Sequence, residues 1–345
     1  MKFDFAIGNP PYQEESQGDS SGTNPVYHLF YEGAKSVANK VELITPARFL
    51  FNAGKTPKSW NEKMLFDKHF KVMMYEPNSN KVFPNIPLTG GVAVSYWDCE
   101  KSYKPIETFV PYEELRTIIS RVTGQNTFKS IKDIIFVHSK FVLEKVYEIN
   151  PNYKKIVGSN GKDRRVRANA MEVFNFFTDE KVKNTDIRVL GLLSNKRSYR
   201  YIDKELLEPN DWTWKYKLFV PESNGASGML GEESARIISK PAIGFPGDGV
   251  TQTFIVIGSF VTKAEVDNLK KYILSKFTRV LLGSLKVTQR NNSVTWSNVP
   301  IQDFTENSDI DWSQSIANID RQLYAKYGLA DNEIAFIETH IKEMK

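Results

Sequence analysis

The sequence predicts an α/β fold over about its first 110 residues, followed by a mixed α+β region. Two observations support this. In the first region, short apolar runs alternate with segments whose apolar residues repeat with the period of a helix. After about Lys101 that rhythm is lost, and charged helical segments surround a few strand-like runs. A chain of 345 residues is long enough for two cores, so we expect domains at 1–110 and 111–345.

The elements of the first domain follow from their apolar spacing. Lys2–Ile7 alternates as a strand does and is stopped by Pro10 and Pro11, because proline offers no backbone N–H to a sheet. The polar stretch 13–25, rich in Gly and Ser, predicts a loop. Strands and helices in alternation predict a largely parallel sheet. We expect helices at Val26–Ala38 and Trp60–His69 and strands at Val41–Thr45, Phe70–Tyr75 and Gly91–Trp97.

The second domain is predicted to contain more helix than strand. Trp212, Trp214 and Tyr216 alternate as strand residues do, and we expect this stripe in the core. Gly328 is typical of a residue that ends a helix. The predicted helices are Glu113–Val122, Ile131–Tyr147, Val266–Leu285, Trp312–Tyr327 and Asp331–Lys342, and the predicted strands are Trp212–Val220 and Thr253–Phe260.

Composition and charge exclude several classes of protein. The single cysteine, Cys99, excludes an internal disulfide and suits a reducing cytoplasm. No apolar run is long enough to span a bilayer, and the N-terminus does not resemble a signal peptide, so we expect a cytoplasmic protein with no membrane partner. The four histidines lie far apart without other ligands at metal-binding spacing, so we predict no metal. A net charge of +5 permits a nucleic-acid partner.

The most informative motif is Asn9-Pro10-Pro11-Tyr12, directly after the first predicted strand. By chance this tetrapeptide should occur in roughly one chain of this length in a thousand. Its position also matters, because open α/β sheets bind ligands at the carboxyl ends of their strands. The alternative is a Pro-Pro turn whose Tyr packs on the surface.

These residue types suit the activation of an exocyclic ring amine such as that of adenine. The lone pair of this amine is delocalised, and two aimed acceptors draw the nitrogen towards a more nucleophilic form. The side-chain oxygen of Asn9 and the carbonyl of Pro10 offer the two acceptors, and proline fixes the backbone in advance. A base inside a duplex must be flipped out to reach such a site, and Tyr12 offers a face for stacking. No general base is needed.

The segment Phe5–Tyr12 resembles the catalytic motif of the gamma-type adenine-N6 DNA methyltransferases, in particular those of bacterial type II restriction–modification systems. The resemblance implies a partial Rossmann-like methyltransferase sheet, its C-terminal half, followed by a DNA target recognition domain. It also implies S-adenosylmethionine as methyl donor, double-stranded DNA as substrate, and Phe83 as a second aromatic contact to the base; the alternative for Phe83 is a core residue. Further similar segments are Tyr27–Phe30, Glu42–Leu50, Val82–Pro84, Val92–Trp97, Asp309–Ser313 and Ile319–Tyr324.

One departure concerns the methyl donor. Such enzymes carry a Phe-x-Gly-x-Gly loop upstream of the catalytic motif, which here begins at the ninth residue. Phe245–Gly249 fits the letters but leads into a strand-like run instead of a helix, so we predict a turn there. We therefore expect a partner chain or a missing N-terminal segment to carry the donor site. The strand at Phe3–Ile7 would otherwise be a bare apolar edge.

Several polar clusters in the second domain are candidate DNA contacts. Basic side chains bind phosphates, and Arg, Asn and Gln read base edges. Solvated loops and ordinary turns explain the same residues nearly as well or better. The candidates are Lys162, Arg164, Arg165, Arg167, Lys196, Arg197, Gln289, Arg290 and Asn291.

The leading hypothesis from the sequence is site-specific DNA adenine-N6 methylation. One alternative is a non-catalytic DNA-recognition subunit, or a truncated restriction–modification protein, that retains the motif as a remnant. Another is methylation of cytosine N4 or of RNA, because the amine chemistry is nearly the same. Asn9, where cytosine enzymes of this kind place Ser, favours adenine.

Overall fold

The computed structural model describes residues 2–14, 24–86, 88–223, 230–231, 233–286 and 290–344. The chain divides into two compact units, Met1–Glu113 and Glu114–Lys345. Each has its own sheets and its own buried residues, so each is described separately.

The first unit contains one four-stranded sheet, in the order β1-β2-β4-β3. β1 and β2 are parallel, with Gly8 opposite Leu43, whereas β4 runs antiparallel to both β2 and β3. β1, β2 and β3 therefore run in the same direction, and β4 alone departs from the expected largely parallel sheet. β3 and β4 are joined by a loop, without the helical crossover that a parallel pair requires. The strands are β1 (Phe3–Gly8), β2 (Ala38–Pro46), β3 (Phe70–Glu76) and β4 (Val92–Asp98).

Two helices cover one face of this sheet. α1 (Tyr27–Val37) and α2 (Lys58–Phe66) pack their apolar residues against Val41, Leu43 and Phe70 in a continuous core. Buried polar contacts fix the arrangement. The Tyr31 hydroxyl of α1 donates to Ser95 Oγ of β4 at 3.1 Å.

The first strand carries apolar side chains that remain in contact with solvent. Phe3, Phe5 and Ile7 are 71%, 57% and 75% exposed, whereas Ala6 packs against the core. Side chains alternate along a strand, so the three exposed residues share the face opposite α1 and α2. Within the described residues, β1 pairs with one strand and forms an edge of the sheet.

The second unit contains two sheets. A three-stranded sheet has the order β10-β6-β7, and a four-stranded antiparallel sheet has the order β5-β11-β8-β9. The β6–β7 hairpin turns at Ser194 and Asn195, both with positive φ, as a two-residue hairpin requires. The strands are β5 (Ile135–Phe136), β6 (Ile187–Leu193), β7 (Lys196–Ile202), β8 (Tyr216–Pro221), β9 (Ala242–Gly244), β10 (Asp248–Val250) and β11 (Phe254–Phe260).

The helices of the second unit differ from expectation at two places. The predicted helix over 131–147 is wrong, because a short 3₁₀ turn and β5 precede a helix that begins at Leu143. The predicted single helix over 266–285 is two helices, because Ser275 ends one and caps the next by accepting from the Thr278 N–H. The helices are α3 (Glu113–Thr123), α4 (Leu143–Ile149), α5 (Tyr153–Val157), α6 (Ala170–Val173), α7 (Lys263–Leu274), α8 (Lys276–Leu285), α9 (Ile316–Lys326) and α10 (Asp331–His340).

The predicted core stripe at 212–216 is also wrong in part. Trp212 is buried, but Trp214 is 61% exposed and lies in a turn before β8 begins at Tyr216. The ring of Trp214 packs over Gly247, at the next turn, which leaves its outer face in solvent.

Candidate active site

Three loops of the first unit lie together at one end of its sheet. β1 and β2 are parallel, so both strands finish at this end of the sheet. Pro46 and Glu76 both pair with Val92, which brings the end of β3 and the start of β4 to the same end. The loops that follow β1, follow β2 and join β3 to β4 therefore lie together. They carry Asn9, Arg48 and Phe83, respectively.

Asn9 and Pro10 line an open cleft at this end of the sheet. The cleft has a volume of about 640 Å³, and Asn9 itself is exposed. Its other walls are apolar and come from β1, β2 and α1. The Asn9 carboxamide is therefore accessible to a ligand, as the proposed amine activation requires. Pro11 is exposed beside it.

Tyr12 and Phe83 form an aromatic pair next to Asn9. Their ring centroids are 6.2 Å apart and their planes are inclined by 65°, an edge-on contact. The Tyr12 hydroxyl is buried without a hydrogen-bond partner among the described residues. Burial raises the pKa of Tyr12, and the Asn9 side chain, which approaches the hydroxyl without hydrogen-bond geometry, opposes that rise. The structure thus brings together the two aromatic residues predicted from the sequence.

The loop at Tyr12 is fixed to the start of α1. The Tyr12 carbonyl accepts from the Val26 N–H at 3.2 Å, and the Glu14 N–H donates to the Asn24 carbonyl at 3.0 Å. Both ends of the described loop are thereby joined to each other. These bonds, together with the two prolines before Tyr12, fix the position of the Tyr12 backbone.

Arg48 lies at the same end of the sheet but has no counterpart among the predicted site residues. It lies in the 3₁₀ helix Ala47–Phe51, directly after β2. Its aliphatic stem passes between Gly54 and Gly90, which both have positive φ. The sequence feature that could have drawn attention to Arg48 is the presence of glycines in the turns after β2 and before β4.

The first basic cluster predicted to bind DNA is partly neutralised within the second unit. Arg164 forms ion pairs with Glu144 at 3.2 Å and Glu208 at 3.0 Å, and Arg165 pairs with Asp163 at 3.2 Å. Lys162 and Arg167 are exposed.

The remaining predicted DNA contacts fall into different environments. Lys196 and Arg197 are exposed at the β6–β7 hairpin, where Arg197 lies over the Phe254 ring at 5.7 Å. Arg290 is also exposed, and Gln289 lies outside the described residues. Asn291 is fully buried, and its side-chain amide donates to the Pro221 carbonyl at 3.4 Å. In this conformation Asn291 supports the fold and does not reach a base.

The segment Phe245–Gly249 begins as a turn after β9 and enters a strand, as predicted. Gly247 has a φ of +86°, and the chain enters β10 at Asp248. Asp248 is buried and forms a bidentate ion pair with Arg188, with both N–O distances 2.8 Å. This carboxylate is therefore already satisfied within the protein.

The described residues do not fit a complete site for S-adenosylmethionine. The described residues that wall the Asn9 cleft are mainly apolar, and none of them offers a carboxylate to hold ribose hydroxyls. The Phe-x-Gly-x-Gly letters lie in the other unit, in a strand-to-strand turn. In the described part of the chain, no group of three or more His, Cys, Asp or Glu is arranged to hold a metal ion. No helix there has the length and apolar character to cross a membrane.

The N-terminal part of the chain matches a known family. Residues 1–83 match the family described as Eco57I restriction-modification methylase. That match covers the Asn9–Tyr12 loop and Phe83. This part of the chain resembles adenine-specific restriction–modification methylases. The resemblance predicted from the motif is confirmed.

Two individual proteins are also similar. An uncharacterized adenine-specific methylase of Mycoplasma pneumoniae (strain ATCC 29342 / M129 / Subtype 1) is 30% identical over 100 residues, which is 28% of this chain and 24% of that protein. The chain thus spans about a quarter of the length of this relative. A solved structure of the Type IIL restriction-modification enzyme MmeI in complex with DNA has a TM-score of 0.42 and 10% identity. It covers 97% of this chain and 56% of that one.

Proposed function

We propose that this chain takes part in site-specific DNA adenine-N6 methylation, with the target adenine flipped against Asn9 and Tyr12. The observation that carries the proposal is the exposed Asn9 carboxamide at the end of a strand, three residues before the Tyr12 ring that packs against Phe83. The match of residues 1–83 to a restriction-modification methylase family supports the choice of reaction.

The chemistry assigned to this chain is preorganisation of the amine. The Asn9 side-chain oxygen and the Pro10 carbonyl each accept a hydrogen bond from one N–H of the amine, which increases the nucleophilicity of the nitrogen. The backbone of Pro10 and Pro11 is restricted in φ, so little reorganisation is needed when the base arrives. Tyr12 stacks on the adenine ring, and Phe83 holds the edge of the Tyr12 ring.

The methyl donor of this enzyme class is S-adenosylmethionine, and we propose that a partner chain or a further segment of the protein provides its site. The outer side of β1 supports this. Phe3, Phe5 and Ile7 are exposed on one face of the sheet. On the other face, Leu29, Phe30 and Val37 of α1 are 60%, 47% and 48% exposed. Apolar surface on both layers, beside an edge strand, fits a sheet that continues beyond β1.

The second unit is proposed to bind and recognise double-stranded DNA. Lys162, Arg167, Lys196, Arg197 and Arg290 are exposed and are the candidates for contacts with phosphates or bases. Arg164 and Arg165 are weaker candidates, because binding a phosphate would require them to exchange the carboxylates with which they pair. Asn291 is not included, because its amide is buried and bonded.

The test is to express the complete coding unit, with any neighbouring partner gene, in bacteria that lack adenine methylation. Mass spectrometry of genomic DNA should then detect N6-methyladenine, and the Asn9→Ala variant should abolish it. A matched control is Asn184→Ala, which alters an exposed asparagine of the second unit outside the proposed contacts. N4-methylcytosine in place of N6-methyladenine would reassign the base. DNA binding that survives Asn9→Ala, with no methylated base in any sample, would support the non-catalytic recognition subunit.

A further inference from the structure

We propose that Arg48 binds a phosphate of the DNA strand that carries the target adenine, and so positions the flipped nucleotide against Asn9. This inference rests on the proposed function, since it assumes a nucleotide bound against Asn9. Arg48 would be a positioning residue, because it contacts the backbone of the substrate while Asn9 contacts the reacting amine.

The first argument is the way in which the Arg48 side chain is held. A Cβ atom at Gly54 would lie 3.4 Å from Arg48 Cβ and 3.5 Å from its Nε, and one at Gly90 would lie 2.7 Å from its Cγ. The φ angles of Gly54 and Gly90 are +89° and +91°. Two glycine turns from separate loops thus pack along the aliphatic part of the Arg48 side chain. Little rotamer freedom of this side chain therefore remains to be lost on binding.

The second argument is the state of the guanidinium. No carboxylate among the described residues forms an ion pair with it, and no hydrogen bond from it to a described residue is found. The charge of Arg48 acts on the Tyr27 phenol. Burial raises the pKa of that phenol to about 12, while Arg48 acts to lower it. An arginine that is oriented by packing but not neutralised has unused donors for an anion.

The third argument is the location of Arg48 within the site. Asn9 follows Gly8, which lies opposite Leu43 in β2, and Arg48 follows β2 by two residues. Arg48 and Phe83 therefore lie on the β2 and β4 side of the loop cluster, away from the open edge at β1. The sheet is proposed to continue at that open edge to hold the methyl donor. Arg48, on the other side of the Asn9 loop, would then remain accessible to the target nucleotide.

The ligand chemistry follows from the geometry of the guanidinium. Its planar fork donates two parallel hydrogen bonds and matches the oxygens of a phosphodiester. Phosphate contacts fix the register of a protein on DNA without reading sequence. A carboxylate, such as that of an amino-acid ligand, has similar geometry, and the experiment separates the two.

The experiment is a set of ligand-observed NMR titrations of the full chain with deoxyadenosine, with its 3′- and 5′-monophosphates, and with methionine. We expect at least one monophosphate to bind about tenfold more tightly than deoxyadenosine, from charge-assisted hydrogen bonds. Arg48→Ala should remove this gain and leave deoxyadenosine binding unchanged, and Arg48→Lys should restore part of it. Gly90→Ala should act like Arg48→Ala, because the added methyl displaces the stem. The control is Lys68→Ala, which removes an exposed cation just before the start of β3, at the other end of the sheet.

The outcomes distinguish this inference from the proposed function. A phosphate gain that survives Arg48→Ala would overturn the role of Arg48 while the function stands. A monophosphate that binds no more tightly than deoxyadenosine, or methionine binding that depends on Arg48, would also overturn it. If no nucleoside binds, or if binding is indifferent to Asn9→Ala, the proposed function fails and this inference fails with it.

Discussion

The ring of Tyr12 meets the ring of Phe83 edge-on, with centroids 6.2 Å apart. The two residues come from different loops, one after β1 and one between β3 and β4. The contact therefore fixes the orientation of Tyr12 relative to Asn9, which precedes it by three residues. A stacking face held in this way is useful only if the opposite face of the ring is available to a base.

Replacing Tyr12 separates stacking from the hydroxyl group. Base stacking on an aromatic ring contributes about 1–3 kcal/mol, so Tyr12→Ala should weaken nucleotide binding about 5- to 150-fold. Tyr12→Phe should keep the affinity, because the hydroxyl has no hydrogen-bond partner among the described residues. Nucleotide titrations and thermal unfolding of both variants provide the check. Equal losses of binding for Tyr12→Phe and Tyr12→Ala would contradict a stacking role.

Two glycines of the first unit should respond in opposite directions to the same substitution. Gly91 has a φ of +77°, and a Cβ there would lie 2.8 Å from Pro77 Cα, so Gly91→Ala should cost more than about 2 kcal/mol of unfolding free energy. Gly33 lies inside α1, and no atom of a described residue comes within 4 Å of an added Cβ, so Gly33→Ala should stabilise by about 0.5–1 kcal/mol. Chemical denaturation measures both. Destabilisation by Gly33→Ala would mean that the cleft beside α1 is already filled.

The outer face of β1 should control self-association. Ile7→Lys places a charge among exposed apolar residues, so it should reduce association of the isolated chain in sedimentation measurements. In the completed enzyme the same change should abolish methylation, because the charge would be buried at the proposed continuation of the sheet. Val261→Lys, at an equally exposed position of the second unit, is the matched control. Full methylation by Ile7→Lys would argue against a continued sheet.

Lys217 should make the stability of the second unit depend on pH. It is fully buried, and its ammonium donates to the carbonyls of Thr213 at 2.8 Å and Phe245 at 2.7 Å. Burial lowers the pKa of Lys217 from 10.5 to about 7. Between these values the unfolded chain binds more protons than the folded one, so stability should rise with pH.

The measurement for Lys217 compares the wild type with Lys217→Met by urea unfolding at several pH values. The stability of the wild type relative to the variant should increase from pH 7 towards pH 10 and stay level below pH 7, where the lysine is protonated in both states. Lys215→Met, which removes an exposed lysine nearby, serves as control. A difference that does not change across this range would show that Lys217 keeps its proton when folded.

The sequence was informative where chemistry and local pattern coincide. The Asn9–Tyr12 motif and the strand before it are recognisable because proline and strand alternation act over a few residues. Phe83 came from the family resemblance, and the structure places it against Tyr12. Ser275 interrupts a continuous apolar pattern by capping α8, an effect that a helical period does not reveal.

The rest of the site depends on contacts between distant segments. Nothing in the local sequence of Arg48 shows that Gly54 and Gly90 pack against its stem, because the two glycines come from separate loops. Asn291 has the side chain of a base-reading residue, but its amide is used to bond the Pro221 carbonyl seventy residues earlier. Tertiary packing decides whether such a residue supports the fold or contacts a ligand.

The position of β1 has a consequence for how the reactive loop is held. Asn9 sits at the tip of a strand that hydrogen-bonds to a neighbour along one side within the described residues. The stiffness of the amide cradle therefore depends on whatever lies along the other side. Amide exchange along β1 would register the arrival of that neighbour directly, and the same event would set how firmly Asn9 is aimed.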